Sequence, residues 1–171
     1  MADVLVVGNG LIGSGAATAY RSWGHSVKTY DALPERSEVE DGALEEEASK
    51  ADAIVCIVPT PPAKNGFDLG ILEGVLERVS PHLKGLFVQR CTTVPGDARR
   101  LARKHTILDR YVVNPSFAYR SNVAGYERDP DKVVIGAARS EVAEKAAELL
   151  YGEVADRTML GTLEDAEAAK V

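Results

Sequence analysis

Val4-Leu5-Val6-Val7-Gly8-Asn9-Gly10-Leu11-Ile12-Gly13-Ser14-Gly15-Ala16-Ala17-Thr18-Ala19-Tyr20 decides the fold. A β-branched apolar run enters a glycine cluster and leaves it as alanine-rich, helix-forming sequence, which reads as strand, tight turn, helix. Gly8, Gly10 and Gly13 fall in the spacing G-x-G-x-x-G directly between the two elements, the only setting in which that spacing carries meaning. Gly8 permits the turn, Gly10 lets backbone approach a diphosphate, and Gly13 lets the helix close on the strand. Leu11 and Ile12 then open the helix, where free N–H groups and the positive end of the helix dipole favour an anion. Ser26 to Asp31 alternates as a second strand, and its carboxylate stands about twenty residues past the turn, where it can grip a ribose diol and repel a 2′-phosphate. Together these residues predict a dinucleotide site selective for NAD, with Gly8, Gly10, Leu11, Ile12, Gly13 and Asp31 in contact with the cofactor.

Working outward, strand and helix signals keep alternating. Ala53 to Val58 is continuously apolar, as a parallel strand covered on both faces must be. Leu69, Leu72, Val75, Leu76 and Val79 recur at spacings of three and four, an amphipathic helix. Leu86 to Gln89, Tyr111 to Val113 and Val133 to Ile135 are further short strands. Asp97 is placed to cap a helix over 98–105. Glu141 to Tyr151 is another helix, and a last one begins at Thr162. Residues 114–131 read as a polar loop long enough to carry function. The pattern predicts an α/β fold of Rossmann type: a doubly wound, mostly parallel sheet flanked by helices in three layers.

Length and charge limit the partners. A chain of 171 residues suits one domain and buries roughly 70% of its unfolded surface. We divide it into a dinucleotide-binding domain over 1–158 and the start of a central helix over 159–171. The formal net charge is -6, which repels phosphate backbones and anionic membranes, so neither nucleic acid nor membrane is an expected partner. Apolar runs are too short to span a bilayer and the start lacks a basic signal-peptide region, which implies the cytoplasm. Cys56 and Cys91 form no Cys-x-x-Cys pair and read as buried thiols. His25, His82 and His105 show no metal-ligand spacing, so no metal is expected.

Four later motifs resemble, in order, the amino-terminal domain of the UDP-glucose/GDP-mannose dehydrogenase family. Val58-Pro59-Thr60-Pro61 is similar to the family's Val-x-Thr-Pro loop beside the cofactor. Thr92-Thr93-Val94-Pro95-Gly96 resembles its Ser-Thr-Val-Pro segment near nicotinamide and substrate. Asn114-Pro115-Ser116-Phe117 resembles its Asn-Pro-Glu-Phe motif, and Ala166-Glu167-Ala168-Ala169-Lys170 its Ala-Glu-x-x-Lys. The resemblance implies an NAD-dependent oxidoreductase acting on the 6-hydroxyl of a nucleotide sugar, with UDP- or GDP-sugar as substrate. It further implies that Val58, Pro59, Thr60, Pro61 and Thr93 meet the cofactor and that Asn114 and Phe117 meet the substrate. Thr93 would hold a catalytic water or the reacting oxygen, and Lys170 would stabilise negative charge there. Pairing through the central helix, or with a partner domain, is implied as well.

The resemblance breaks at both acidic positions of the third motif, where Ser116 and Arg120 stand in place of glutamates. Serine lacks the basicity of a general base and arginine stays protonated. The family's nucleophilic cysteine belongs to a second domain, and neither Cys56 nor Cys91 replaces it by position. Two expectations follow: the cofactor half of a nucleotide-sugar 6-dehydrogenase that does not complete oxidation alone, or a non-catalytic NAD or nucleotide-binding module acting in regulation or assembly.

Overall fold

A computed structural model of the chain describes residues 1–119 and 121–171. The turn at Gly8 to Gly10 joins strand β1 (Asp3–Val7) to helix α1 (Leu11–Ser22), and β2 (Ser26–Tyr30) follows. The chain continues through α2 (Leu44–Lys50), β3 (Ala53–Cys56), a two-stranded hairpin of β4 (Pro62–Ala63) and β5 (Gly66–Phe67), and α3 (Gly70–Val79). Then come β6 (Leu86–Gln89), α4 (Asp97–Lys104), β7 (Tyr111–Val113), α5 (Val123–Arg128), β8 (Val133–Ala137), α6 (Ser140–Tyr151), β9 (Thr158–Gly161) and α7 (Leu163–Ala168).

Seven strands form one sheet in the order β2-β1-β3-β6-β7-β8-β9. Every pairing is parallel except β7 with β8. The chain moves from β1 to one side for β2 and to the other for β3, so the strand order reverses at β1, and a crevice opens there at the strands' carboxyl ends. Strand residues alternate between two apolar layers. Leu5, Val7, Ile54, Cys56, Phe87, Tyr111 and Val113 face Leu44, Leu72, Leu76, Leu101 and Leu163 from the helices of one side. Val4, Val6, Val55, Val88, Val112 and Ile135 face Ala16, Tyr20, Ala146 and Leu150 of α1 and α6. Coverage on both faces is why these strands read as unbroken apolar runs.

Three places depart from expectation. Residues 159–161, placed with the start of the central helix, belong to the edge strand β9 (Thr158–Gly161), and the helix begins only at Leu163. Four residues with two exposed apolar side chains, Met159 and Leu160, carry too little alternation to announce a strand. The loop over 114–131 contains α5, a six-residue helix whose Asn122 side chain caps the Gly125 amide. Asp97 is the first residue of α4 rather than its cap; Gly96 occupies that position in a left-handed conformation, φ 102°.

Gly136 in β8 is where α7 meets the sheet. A Cβ there would lie 2.1 Å from the Thr162 carbonyl oxygen and 2.7 Å from the Ala166 methyl. Gly136→Ala is therefore expected to lower the unfolding free energy in urea by about 1–3 kcal/mol, the usual cost of overpacking.

Candidate dinucleotide and substrate site

Strand β1 ends in a backbone contact that admits nothing but glycine. A Cβ on Gly13 would stand 1.8 Å from the Gly8 carbonyl oxygen, and one on Gly8, itself at φ 94°, would stand 2.2 Å from the Ile57 carbonyl oxygen. Gly10 differs: no protein atom lies within 4 Å of the Cβ it lacks. Its φ of -76° suits any residue, so nothing inside the protein demands glycine there. The first turn of α1 has neither a side-chain cap nor an acidic residue, and the first amide there bonded back within the helix is that of Ser14. The amides of Leu11, Ile12 and Gly13 thus form a ready anion site whose approach a Cβ at position 10 would fill.

Asp31 closes the other side of this turn. Its Oδ2 accepts the Asn9 amide at 2.7 Å and its Oδ1 accepts the Leu33 amide at 3.0 Å, which fixes the carboxylate while leaving lone pairs for a ligand. Around these groups runs a cleft of about 1060 Å³. Gly8, Gly10, Leu11, Ile12, Gly13, Asp31, Val58 and Pro59 all line it. Leu11, Leu33 and Ile71 on its walls are 59%, 44% and 52% exposed, an arrangement that leaves apolar area open to water unless something flat and apolar covers it. Ala118 and Val123 from the 114–131 segment complete the wall near α1. A dinucleotide fits these donors, this acid and this volume. Thr60 and Pro61 stand just past the lining, and the Thr60 hydroxyl donates to the Thr92 carbonyl at 2.7 Å.

Thr93 is buried. Its hydroxyl donates to Glu167 Oε1 at 2.8 Å and accepts from Gln89 Nε2 at 2.8 Å. The same Glu167 carboxylate accepts the amides of Gly96 (2.7 Å) and Ala98 (2.8 Å), so a residue of α7 caps the start of α4. Burial holds the Glu167 carboxyl above its ordinary value, against these three bonds that favour the ionised form. Three residues along, the Lys170 ammonium reaches the Ser116 carbonyl. Asn114 is also inward: its amide donates to the Val134 carbonyl at 2.8 Å and its Oδ1 accepts the Tyr151 hydroxyl. Phe117 stays partly open beside Lys170 and Lys132. Ser116 donates to Glu127 Oε1 at 2.7 Å, and Arg90 grips that carboxylate through both nitrogens at 2.8 and 3.1 Å. The Arg120 reading lies outside the described residues. Cys56 and Cys91 are both free and buried; contact with the Cys91 thiol and burial push the Cys56 thiol up.

A family model described as the NAD binding domain of the UDP-glucose/GDP-mannose dehydrogenase family matches residues 37–155. The chain belongs to that family. Among solved structures, a UDP-glucose dehydrogenase from the archaeon Pyrobaculum islandicum is 23% identical with TM-score 0.85, over 99% of this chain and 48% of that one. A GDP-mannose dehydrogenase from Pseudomonas aeruginosa is 23% identical with TM-score 0.83, over 98% and 48%. An imine reductase from Myxococcus stipitatus, solved with NAD+, is 18% identical with TM-score 0.75, over 99% and 58%. At these identities the likeness is one of fold. The chain spans about half the length of the two dehydrogenases. No curated protein matches.

The match to the dehydrogenase family's NAD domain begins after Gly8 to Asp31, so the turn and the acid are evidence of their own. Several residues escaped the sequence reading. Leu33, Leu44, Ile71 and Arg78 line the cleft, and only Ile71, an apolar residue off the phase of the α3 stripe, signalled it. Glu127 gave no signal, and Glu167 entered only as a letter of the Ala-Glu-x-x-Lys resemblance, because each finds its partners far along the chain. Replacing Glu167 with glutamine leaves an amide nitrogen facing donors, so Glu167→Gln is expected to lower the urea unfolding free energy by about 1–3 kcal/mol.

Proposed function

We propose that this chain is the cofactor-holding half of an NAD-dependent nucleotide-sugar 6-dehydrogenase. The observation that carries the reading is Gly10, a glycine the protein does not need for itself, set before uncapped helix amides and beside Asp31. The amides of Leu11 to Gly13 would take the diphosphate, Asp31 the adenosine ribose, and Leu33, Ile71, Val58 and Pro59 the apolar faces of the rings. NAD supplies the hydride acceptor; the chain's own residues bind, orient and exclude water. In this reading Thr60, Pro61 and Thr93 border the nicotinamide end, Asn114 and Phe117 the sugar, and Lys170 steadies developing negative charge. The Thr93 hydroxyl then acts from its bond with Glu167, holding the turn rather than reaching the sugar unaided.

Completion of the oxidation falls to residues beyond this half, supplied by a central helix and second domain or by pairing with another copy. The two free cysteines, both buried, suit the reducing cytoplasm. One observation favours the second reading, an NAD-binding module without turnover: Ser116, where the family has an acid, is buried and committed to Glu127.

Isothermal titration tests the proposal. NAD is expected to bind more tightly than NADP, because Asp31 repels the extra phosphate. Gly10→Val is expected to weaken NAD by about tenfold or more, while changing the unfolding free energy by no more than about 1 kcal/mol. Absence of heat with NAD overturns both readings, and turnover of a UDP- or GDP-sugar by the chain overturns the second.

A further inference from the structure

Helix α3 holds a glycine in its interior that the fold does not use. Glycine inside a helix is destabilising relative to alanine, because its backbone has more freedom to lose and no side chain to pack. Where other α-helices of this chain contain one, close approach explains it: a Cβ on Gly13, Gly15 or Gly125 would meet an atom at 1.8, 2.8 or 2.5 Å. Gly74 has no such reason, since no protein atom stands within 4 Å of the Cβ it lacks. What it faces is the cleft. Ile71, Gly74, Val75 and Arg78 all line it, at the spacing i, i+3, i+4, i+7 of a single helix face.

Arg78 ends that face. Its guanidinium donates to Glu45 Oε1 (2.7 Å), the Tyr30 hydroxyl (2.9 Å), Asp41 Oδ1 (2.7 Å) and the Asp41 carbonyl (2.8 Å), so four of its five N–H groups are taken. These bonds tie both ends of the stretch 30–41, which carries Asp31 and Leu33, to α3. They also hold the guanidinium by its edge. Its carbon lies over the Tyr30 ring, 5.6 Å from the centroid, and the side chain is still 34% exposed. A guanidinium held in this way has one face on a phenol ring and the other open to a second flat, electron-rich ring.

We propose that this face of α3 seats and selects the cofactor's purine: adenine enters the notch left at Gly74, packs on Ile71 and Leu33, and meets the open face of the Arg78 guanidinium. The inference rests on the dinucleotide reading and adds the residues that select the base. Order along the cleft supports it. With the diphosphate on the amides opening α1 and a ribose on Asp31, the next group outward is the base, and Tyr30 and Leu33, which flank Asp31, line the cleft together with this face of α3. A two-ring base fills the notch, whereas a one-ring pyrimidine on the same ribose leaves it part-empty.

The full chain is followed by proton–nitrogen correlation NMR as AMP or CMP is added, two nucleotides that share the ribose phosphate and differ in the base. Both are expected to move the amides of Leu11 to Gly13, and AMP alone those of Gly74, Val75 and Arg78. Calorimetry with NAD then weighs the side chains. Gly74→Ala is expected to raise the urea midpoint, as helix propensity requires, and yet to weaken NAD about threefold; Gly74→Leu is expected to weaken it about tenfold or more. Arg78→Met is expected to weaken NAD about fivefold, and Arg78→Lys, which restores the charge without the flat face, to stay as weak. Circular dichroism of each variant checks the fold. Amides of α3 that AMP leaves unmoved, or that AMP and CMP move alike, overturn the proposal, as does unchanged NAD affinity in Gly74→Leu. Full recovery in Arg78→Lys removes the guanidinium from the base. NAD binding with α3 silent would keep the dinucleotide reading and sink this one; no heat with NAD alongside an AMP-only shift at Gly74 would do the reverse.

Discussion

The structure depends on one contact between backbones: Gly13 packs so tightly on the Gly8 carbonyl that a Cβ would stand 1.8 Å from its oxygen. Because helix and strand close to that distance, α1 starts at the carboxyl edge of β1, and its first amides point out past the sheet. Gly10 at the N-cap brings no capping side chain, although no protein atom would meet a Cβ there, so those donors stay unpaired. The reversal of strand order at β1 then opens the crevice directly in front of them. The steric constraint sets the fold's first crossover, and the bare Gly10 leaves the helix amides open in front of the crevice.

Behind the cleft wall formed by α5, charge has been taken into the interior and answered there. Arg90 and Glu127 are each nearly inaccessible, yet the carboxylate is met by two guanidinium nitrogens and the Ser116 hydroxyl. Removing one partner of such a pair costs far more than the pair contributes, which makes it a device for fixing geometry. It ties α5, and through α5 the wall of the cleft, to the segment that holds Phe117. Gly15 of α1 completes the link, since a Cβ there would meet Val123 at 2.8 Å. Glu167 does the same for α7 and α4, gathering two amides and the Thr93 hydroxyl on one carboxylate. Cofactor turn, Thr93 and Lys170 therefore sit on elements joined by buried polar contacts rather than on free loops.

Local chemistry was legible; distant partnership was not. The strand β1, the glycine turn, Asp31 and the α3 stripe could be read because each signal lies within a few residues of itself. Strand β6 was bounded to the residue at Leu86 and Gln89 because burial on both faces leaves no polar interruption. The helix α5 was missed because six residues containing Gly125 show no period, and the hairpin β4-β5 because two-residue strands cannot alternate. Leu33 and Leu44 were missed as cleft walls because an apolar side chain facing a ligand has the same composition as one facing the core. Asp97 was misplaced as a cap because its true counterpart, Glu167, comes from a helix seventy residues on.

The central claim is that the unpaired amides opening α1 hold a diphosphate. Its most direct test is a proton–nitrogen correlation NMR titration of the chain with NAD. The account predicts that the amide resonances of Leu11, Ile12 and Gly13 move furthest, and that they saturate together with the amide resonances of Leu33 and Ile71. Unmoved amides at those three residues, with shifts gathered elsewhere on the molecule, would contradict it.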